Sequence, residues 1–173
     1  MKIHIVGWAG ITHSYSIIAE TYLRKIMERK DVVVYFTEYP YFYKDWKKCK
    51  KSIFDKFQKP SADEIIDITI RFIYPYNLIP DVQSKCTISF MTCEFDYVSD
   101  FVDVYDICDN VWIMTPSEYS RRGLIASGIK SEKIFVIPHS YDCEDILIPR
   151  NILRDNYKIP QNDFVYFHNS SLT

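Results

Sequence analysis

Lys2-Ile3-His4-Ile5-Val6-Gly7-Trp8-Ala9-Gly10-Ile11-Thr12-His13-Ser14 opens the chain, and its reading decides the fold. Residues 2–7 form a short apolar run that reads as a buried strand running into Gly7 and Gly10. Beyond them Tyr15, Ile18, Tyr22 and Ile26 recur at helical spacing, so residues 14–28 read as a helix with one apolar face. A glycine-bearing turn between a first strand and a first helix places backbone N–H groups at the carboxyl edge of a sheet. That geometry suits phosphate. Gly10, Ile11, Thr12, His13 and Ser14 are therefore the candidate phosphate loop. The spacing departs from the dinucleotide pattern G-x-G-x-x-G. An ordinary strand–helix turn is the plain alternative, in which Thr12 or Ser14 only caps the helix.

The alternation continues along the chain. Residues 32–36, 66–73, 86–91, 110–114 and 134–137 read as short strands rich in β-branched residues. Phe95, Val98, Val102 and Tyr105 mark one helix. Thr115-Pro116-Ser117-Glu118 reads as a capping box with proline at the first helical position, opening another helix that ends at Gly128. Strands alternating with helices predict an α/β domain whose parallel sheet is covered on both faces. Residues 39–60 break the pattern. Tyr39, Tyr41, Phe42, Tyr43 and Trp46 precede a lysine-rich stretch with seven Lys and two Asp between Lys44 and Lys59. The spacing predicts a helix there, with Trp46, Cys49, Ile53 and Phe57 on one face. It reads either as a surface helix packed on the sheet or as a basic, aromatic-rimmed surface for an anionic or lipid-linked acceptor.

Composition narrows the function classes. The apolar fraction of 47% suits a globular core, and a net charge of -2 gives no global pointer to nucleic acid. Five cysteines, Cys49, Cys86, Cys93, Cys108 and Cys143, form an odd set without a Cys-x-x-Cys pair. That usage fits reduced thiols and a cytoplasmic setting rather than a disulfide framework or zinc site. The opening strand is too short for a signal peptide, and no apolar run is long enough to span a bilayer. No metal site is expected, since no Asp-x-Asp occurs and the four His are scattered. No cofactor is expected, and no nucleophile or Walker motif occurs.

Two charged residues fall at predicted carboxyl ends of strands. Arg71 lies within the apolar run Thr69-Ile70-Arg71-Phe72-Ile73. A buried arginine needs a partner or a cleft. Glu94 follows the strand that ends in Ser89-Phe90-Met91-Thr92-Cys93. It reads as a cleft carboxylate or as a charge at the next helix N-terminus. Ligands of open α/β sheets bind at that edge, so the two are candidate catalytic residues.

Together these segments resemble retaining GT-B glycosyltransferases of the glycogen-synthase-like, group 1 class. Thr69-Ile70-Arg71 with Tyr74-Pro75 is similar to their "IR…(W/Y)P" strand end, and Thr92-Cys93-Glu94 to their "T-x-x-E" turn. Asn110-Val111-Trp112-Ile113 with Pro116-Ser117-Glu118-Tyr119-Ser120-Arg121 resembles "D-x-V-W-V-P-S-x-x-x-R/K". Val136-Ile137-Pro138-His139-Ser140-Tyr141-Asp142 resembles "V-x-V-I-P-H-G-V-D". The match covers residues 66–173 with the glycine loop at residues 7–14. Ser140 stands where the pattern has glycine, Met114-Thr115 is an extra pair, and residues 39–60 match no part of it.

The resemblance implies a Rossmann-like N-terminal, acceptor-side half of a GT-B fold over residues 1–142. A linker and the first strand of a donor-binding domain would occupy residues 143–173, where Asn162 to Thr173 reads as a turn and then a buried strand. It implies a nucleotide-sugar donor held mainly by a C-terminal domain beyond this chain. The acceptor would be a glycan, a glycoprotein or a lipid-linked sugar, with no nucleic acid. It places Tyr74, Tyr76, Thr92 and Phe95 around the acceptor and Pro138, His139 and Ser140 at an interdomain turn. The fragment alone is then expected to be inactive. The competing expectation is a stand-alone α/β binding module, or one that meets a membrane surface through residues 39–60 and is membrane-peripheral.

Overall fold

The computed structural model describes residues 1–41, 43, 46–48, 51–96, 109–139 and 148–165. The chain divides into two compact units, Met1–Tyr141 and Asp142–Thr173. The first unit is a Rossmann-like α/β fold. Its strands are β1 (Lys2–Gly7), β2 (Val33–Glu38), β3 (Ile66–Phe72), β4 (Ser84–Phe90), β5 (Val111–Thr115) and β6 (Ile134–Val136). They form one six-stranded sheet in the order β2-β1-β3-β4-β5-β6. Every pairing is parallel. Helix α1 (Ser14–Met27) follows β1, and α2 (Glu118–Ala126) links β5 to β6.

Strand alternation divides the sheet into two faces. Ile3 and Ile5 stand beside Ile68 and Ile70, then Cys86 and Ile88. Ile3, Ile5, Phe36, Phe72, Phe90 and Met114 pack with Tyr15, Ile18, Ala19 and Leu23 of α1. On the opposite face Ile113 and Ile134 pack with Leu124 of α2. The β1-to-β2 and β5-to-β6 connections step in opposite directions along the sheet, so right-handed crossovers put their helices on opposite faces.

That second face is polar over its centre. His4, Thr69 and Thr87 stand abreast on β1, β3 and β4, with Arg71 and Ser89 abreast two residues on. All five are buried. Among the described residues no helix is seen over them. The connection from β3 to β4, residues 73–83, crosses instead as an irregular strap whose backbone groups need partners. The Arg71 guanidinium donates through Nη1 to Asn77 O at 3.0 Å and to Ile79 O. The Asp81 N–H donates to Thr87 Oγ1 at 2.9 Å. Thr69 donates to the Asp81 carboxylate at 3.2 Å and also meets Ser84 Oγ. The polar strap thus supplies partners to much of the polar strand face, with the buried Ser89 hydroxyl left without one among the described residues.

The expected helix within residues 39–60 is absent from its described part. Residues 46–48 are irregular, and the one helical element is a short 3-10 turn, Ile53–Lys56. Clustered lysines oppose a continuous helix by like-charge repulsion, and packing selects Phe54 instead of Ile53 or Phe57. Phe54 is buried and stacks on Phe36 at 4.1 Å. Ser52 and Asp55 form a reciprocal capping box around the turn. Ser52 Oγ also donates to the buried Glu20 of α1 at 2.7 Å. Ser52→Ala leaves that carboxylate and one turn amide without a partner. Chemical denaturation is expected to show a loss of about 1–3 kcal/mol. A neutral result would mean that the segment is not fastened to α1 in solution.

The helix start near residue 115 also shifts. Thr115 remains in β5, paired with Val136, and the cap is Ser117, whose side chain accepts from the Ser120 N–H. Strand pairing holds Thr115 extended, so the capping role passes to the next hydroxyl in line. Gly128 (φ 96°) closes the helix as expected, in the left-handed region that favours glycine. The helix expected around Phe95 to Tyr105 lies outside the described residues beyond Asp96.

The second unit holds helix α3 (Arg150–Asn156). Its buried Arg154 donates to the carbonyls of Pro160 and Asp163. The turn and strand expected over residues 162–173 are described only as far as residue 165, where Phe164 and Val165 are exposed and irregular. Residues 166–173 lie outside the described part.

Candidate functional site at the carboxyl edge of the sheet

The chain leaves β1 toward one edge of the sheet and leaves β3 toward the other. Such a switch point opens a crevice off the carboxyl ends of the two strands. The turn after β1 lies at this edge. Gly10 has φ 68°, a conformation that suits glycine. The turn folds Trp8 inward, fully buried, with its indole N–H donated to Pro40 O at 2.9 Å. Around this indole sit His13 at 4.9 Å, Trp46 at 5.1 Å and Tyr15 at 6.1 Å between ring centres. Tyr43, itself exposed, extends the row 5.3 Å beyond Trp46.

His13 is the N-cap of α1, a role read from the sequence as belonging to Thr12 or Ser14. Its Nδ1 accepts the Tyr15 N–H at 3.2 Å. An accepting Nδ1 carries no proton, so the neutral ring holds its hydrogen on Nε2. Burial among aromatic rings lowers the His13 pKa and favours that form. Thr12 and Ser14 are exposed, while Ile11 is buried.

Against this turn packs a knot of hydroxyls. Tyr15 OH lies 2.9 Å from Tyr76 OH and 3.2 Å from Thr92 Oγ1. Tyr76 OH donates to Thr92 O at 3.0 Å and accepts the Thr92 N–H at 3.1 Å. The knot ties α1 to the ends of β3 and β4. Burial pushes the Tyr15 pKa far above the phenol range, and the charge of Glu94 adds to the shift. Glu94 therefore lies within electrostatic reach of the knot. It is exposed, as is Phe95 beside it. Tyr74 meets Tyr76 edge to face at 5.5 Å.

Helix α2 holds the turn that carries Glu94. Ser120 Oγ donates to Cys93 O at 3.0 Å and accepts the Cys93 N–H at 3.2 Å. The helix approaches this closely because position 123 is glycine. A Cβ there would stand 2.5 Å from Cys93 Sγ and 2.8 Å from Phe95 O.

From the end of β6, the His139 ring reaches Phe90 at 5.5 Å. The Tyr22 hydroxyl lies 3.3 Å from the carbonyl oxygens of both Ile137 and Pro138. Ser140 lies outside the described residues.

Arg71 and Glu94 do not converge. Arg71 projects onto the polar sheet face, where its guanidinium is spent on the strap, and Glu94 is exposed at the strand ends. Among the described residues no ion pair joins them. Strand alternation is the reason. A side chain one residue before the strand end still follows its face of the sheet. The residues that build the site and were not singled out from the sequence are Trp8, Tyr15, Phe90, Ser120 and Gly123. The signal for Trp8 was its place between the two glycines of the turn.

The polar face gives a pH prediction. His4 Nε2 lies 2.9 Å from Thr37 Oγ1, and its Nδ1 is 3.7 Å from the Asp81 carboxylate. Burial lowers the His4 pKa, against the pull of Asp81 and with the push of Arg71. The folded state therefore binds a proton less readily than the unfolded chain. His4 contributes stability that is present above the unfolded value of about 6.5 and is lost as pH falls through the lower folded value. Urea midpoints are expected to drop from neutral toward mildly acidic pH, with a flatter dependence in His4→Gln. Midpoints that rise on acidification would contradict the buried neutral ring.

Among the described residues, no helix is long and apolar enough to cross a membrane, and no three His, Cys, Asp or Glu side chains gather as a metal would require. In comparisons with known proteins, no family model, no curated protein and no solved structure matches the chain.

Proposed function

We propose that this chain is the acceptor-binding half of a glycosyltransferase that moves a sugar from a nucleotide-sugar to an acceptor. The observation that carries the reading is the set of rings and hydroxyls at the carboxyl edge of the sheet, Tyr43, Trp46 and His13 with Tyr76 and Thr92, backed by the buried Trp8 and Tyr15. Aromatic rings offer flat apolar faces to the C–H side of a sugar, and hydroxyls offer hydrogen bonds to its edge. Glu94 stands where a carboxylate can accept from an acceptor hydroxyl. The motifs from Thr69 to Asp142 support the same assignment.

In this reading the crevice orients the acceptor, and the donor diphosphate is held by a partner domain. Catalysis then rests on positioning and on stabilising charge as the diphosphate departs. The chain alone has a few backbone amides for a diphosphate, each worth roughly 1 kcal/mol net. Micromolar affinity needs about 8 kcal/mol. Calorimetry with sugar nucleotides is therefore expected to show no micromolar binding. A micromolar constant would overturn the division of labour. Amide shifts caused by a saccharide panel are expected to map to His13, Trp46, Thr92 and Glu94; shifts confined to other surfaces would remove the acceptor assignment.

A further inference from the structure

A histidine at a ligand-binding edge is ordinarily read as an acid or a base. At His13 the backbone decides otherwise. Its Nδ1 accepts the Tyr15 N–H at 3.2 Å, and a backbone N–H has no lone pair with which to return the bond. Nδ1 is therefore committed as an acceptor, and Nε2 holds the one ring hydrogen. A second proton would set N–H against N–H and break the cap of α1. The surroundings act the same way. The ring centre lies 4.9 Å from Trp8, 5.4 Å from Tyr15 and 5.0 Å from Trp46. None of these rings carries a charge that would hold an imidazolium, and burial lowers the His13 pKa. The two nitrogens of an imidazole point apart, so the bond that ties Nδ1 to the helix directs Nε2 away from it. Among the described residues nothing accepts the Nε2 hydrogen, and the buried polar atoms without a partner are Ser16 Oγ, Ser89 Oγ and Thr115 Oγ1. Nε2 is not one of them: the half-buried ring keeps this N–H in reach of solvent, beside the Trp46 ring.

Resting on the glycosyltransferase reading above, we propose that His13 is a fixed hydrogen-bond donor of the crevice, whose neutral Nε2–H binds an oxygen of the ligand and takes no part in proton transfer. That oxygen belongs to a hydroxyl or ring of the acceptor sugar, or to a phosphate of its donor. Either accepts from a neutral N–H, so the contact fixes the polarity of the ligand atom and leaves its charge open. The ionised Glu94, exposed at the strand ends, only accepts. A donor of locked tautomer and a carboxylate on one sheet edge together distinguish ligands by where their own donors and acceptors lie.

The full chain, isotope-labelled in its backbone amides and histidine rings, is titrated with maltotetraose, mannotetraose and galactotetraose and, separately, with inorganic phosphate. Before any addition, at neutral pH, the ring nitrogen resonances are expected to place the His13 hydrogen on Nε2; a hydrogen on Nδ1 overturns the inference. With at least one probe the Nε2 resonance is expected to move and its hydrogen to exchange more slowly, while Nδ1 stays nearly still. Movement driven by an oligosaccharide assigns the oxygen to a sugar, and movement driven by phosphate alone assigns it to a phosphate. His13→Asn separates donor from cap, since an Asn side-chain oxygen caps a helix well but its short amide carries no N–H out to the Nε2 position. The variant is expected to melt within about 3 °C of the wild type. It is expected to bind the active probe about three- to tenfold more weakly, the scale of one hydrogen bond. Wild-type affinity in His13→Asn, or shifts of the Trp46 and Thr92 amides that leave Nε2 unmoved, would reduce His13 to a cap and overturn the inference while the crevice keeps its ligand. No shift at Trp46, Thr92 or Nε2 with any probe overturns the sugar-binding reading and this inference with it.

Discussion

Arg71→Ala is expected to lower the melting temperature of the chain by roughly 10 °C. Two hydrogen bonds from a charged donor hold the strap, each worth about 1.5–3 kcal/mol, so their combined loss is on the order of 3–5 kcal/mol. For a domain of this size each kcal/mol moves the midpoint by about 2–4 °C. The carbonyls of Asn77 and Ile79 lose their donor, and the chain that carries Tyr74 and Tyr76 loosens. A site-specific signature follows, because the Thr92 N–H is donated to Tyr76 OH. Its hydrogen exchange is expected to accelerate in Arg71→Ala even where the strands remain protected. Arg71→Lys keeps the charge but lacks the planar fork, and is expected to recover only part of the stability. A variant that melts like the wild type would return Arg71 to the crevice as a candidate for chemistry.

Gly123→Ala is the second large effect, and two opposing terms decide its sign. Alanine is favoured over glycine in a helix interior by about 1 kcal/mol. Overpacking against Cys93 Sγ and Phe95 O costs about 1–3 kcal/mol, and sterics wins because one of the obstacles is backbone. The variant is expected to be destabilised and to move Glu94, which follows Cys93 directly. Cys93→Ala in the same chain removes the closer contact and leaves the Phe95 carbonyl, so it should rescue in part. That non-additivity is measurable as a coupling energy in a double-mutant cycle. A Gly123→Ala protein more stable than its parent would mean that α2 stands farther from the Cys93 turn.

Much of the sheet is legible in the sequence. Short runs such as Ile3-His4-Ile5-Val6 and Ile66 to Phe72 between helical or loop stretches leave few alternatives to a parallel sheet. The polar alternation inside those runs carries more. His4 sits between isoleucines, Thr69 and Arg71 alternate with Ile68 and Ile70, and Thr87 and Ser89 alternate with Cys86 and Ile88. A parallel sheet under helices on both faces has no use for such a pattern, so it announces an unusual cover on one side. Position near a strand end suggested a cleft role for Arg71, but the parity of the strand decides where the side chain goes. The site was legible in its loops and less so in its partners. Glu94 and His13 belong to local turns that a reader can place. The contacts of Trp8 with Trp46, and of Ser120 with Cys93, join residues 38 and 27 positions apart, and only the folded chain brings them together.

The strap also offers a practical opening. It is pinned from below by strand side chains, at Asn77, Ile79 and Asp81, while Val82 is 99% exposed at its outer bend. A fluorophore or spin label on Val82→Cys would therefore ride a rigid mount without displacing anything beneath it. Placed just before the amino end of β4, at the edge of the sheet away from the crevice, it would report the strap's own order, turning a scaffolding loop into a built-in reporter of the fold.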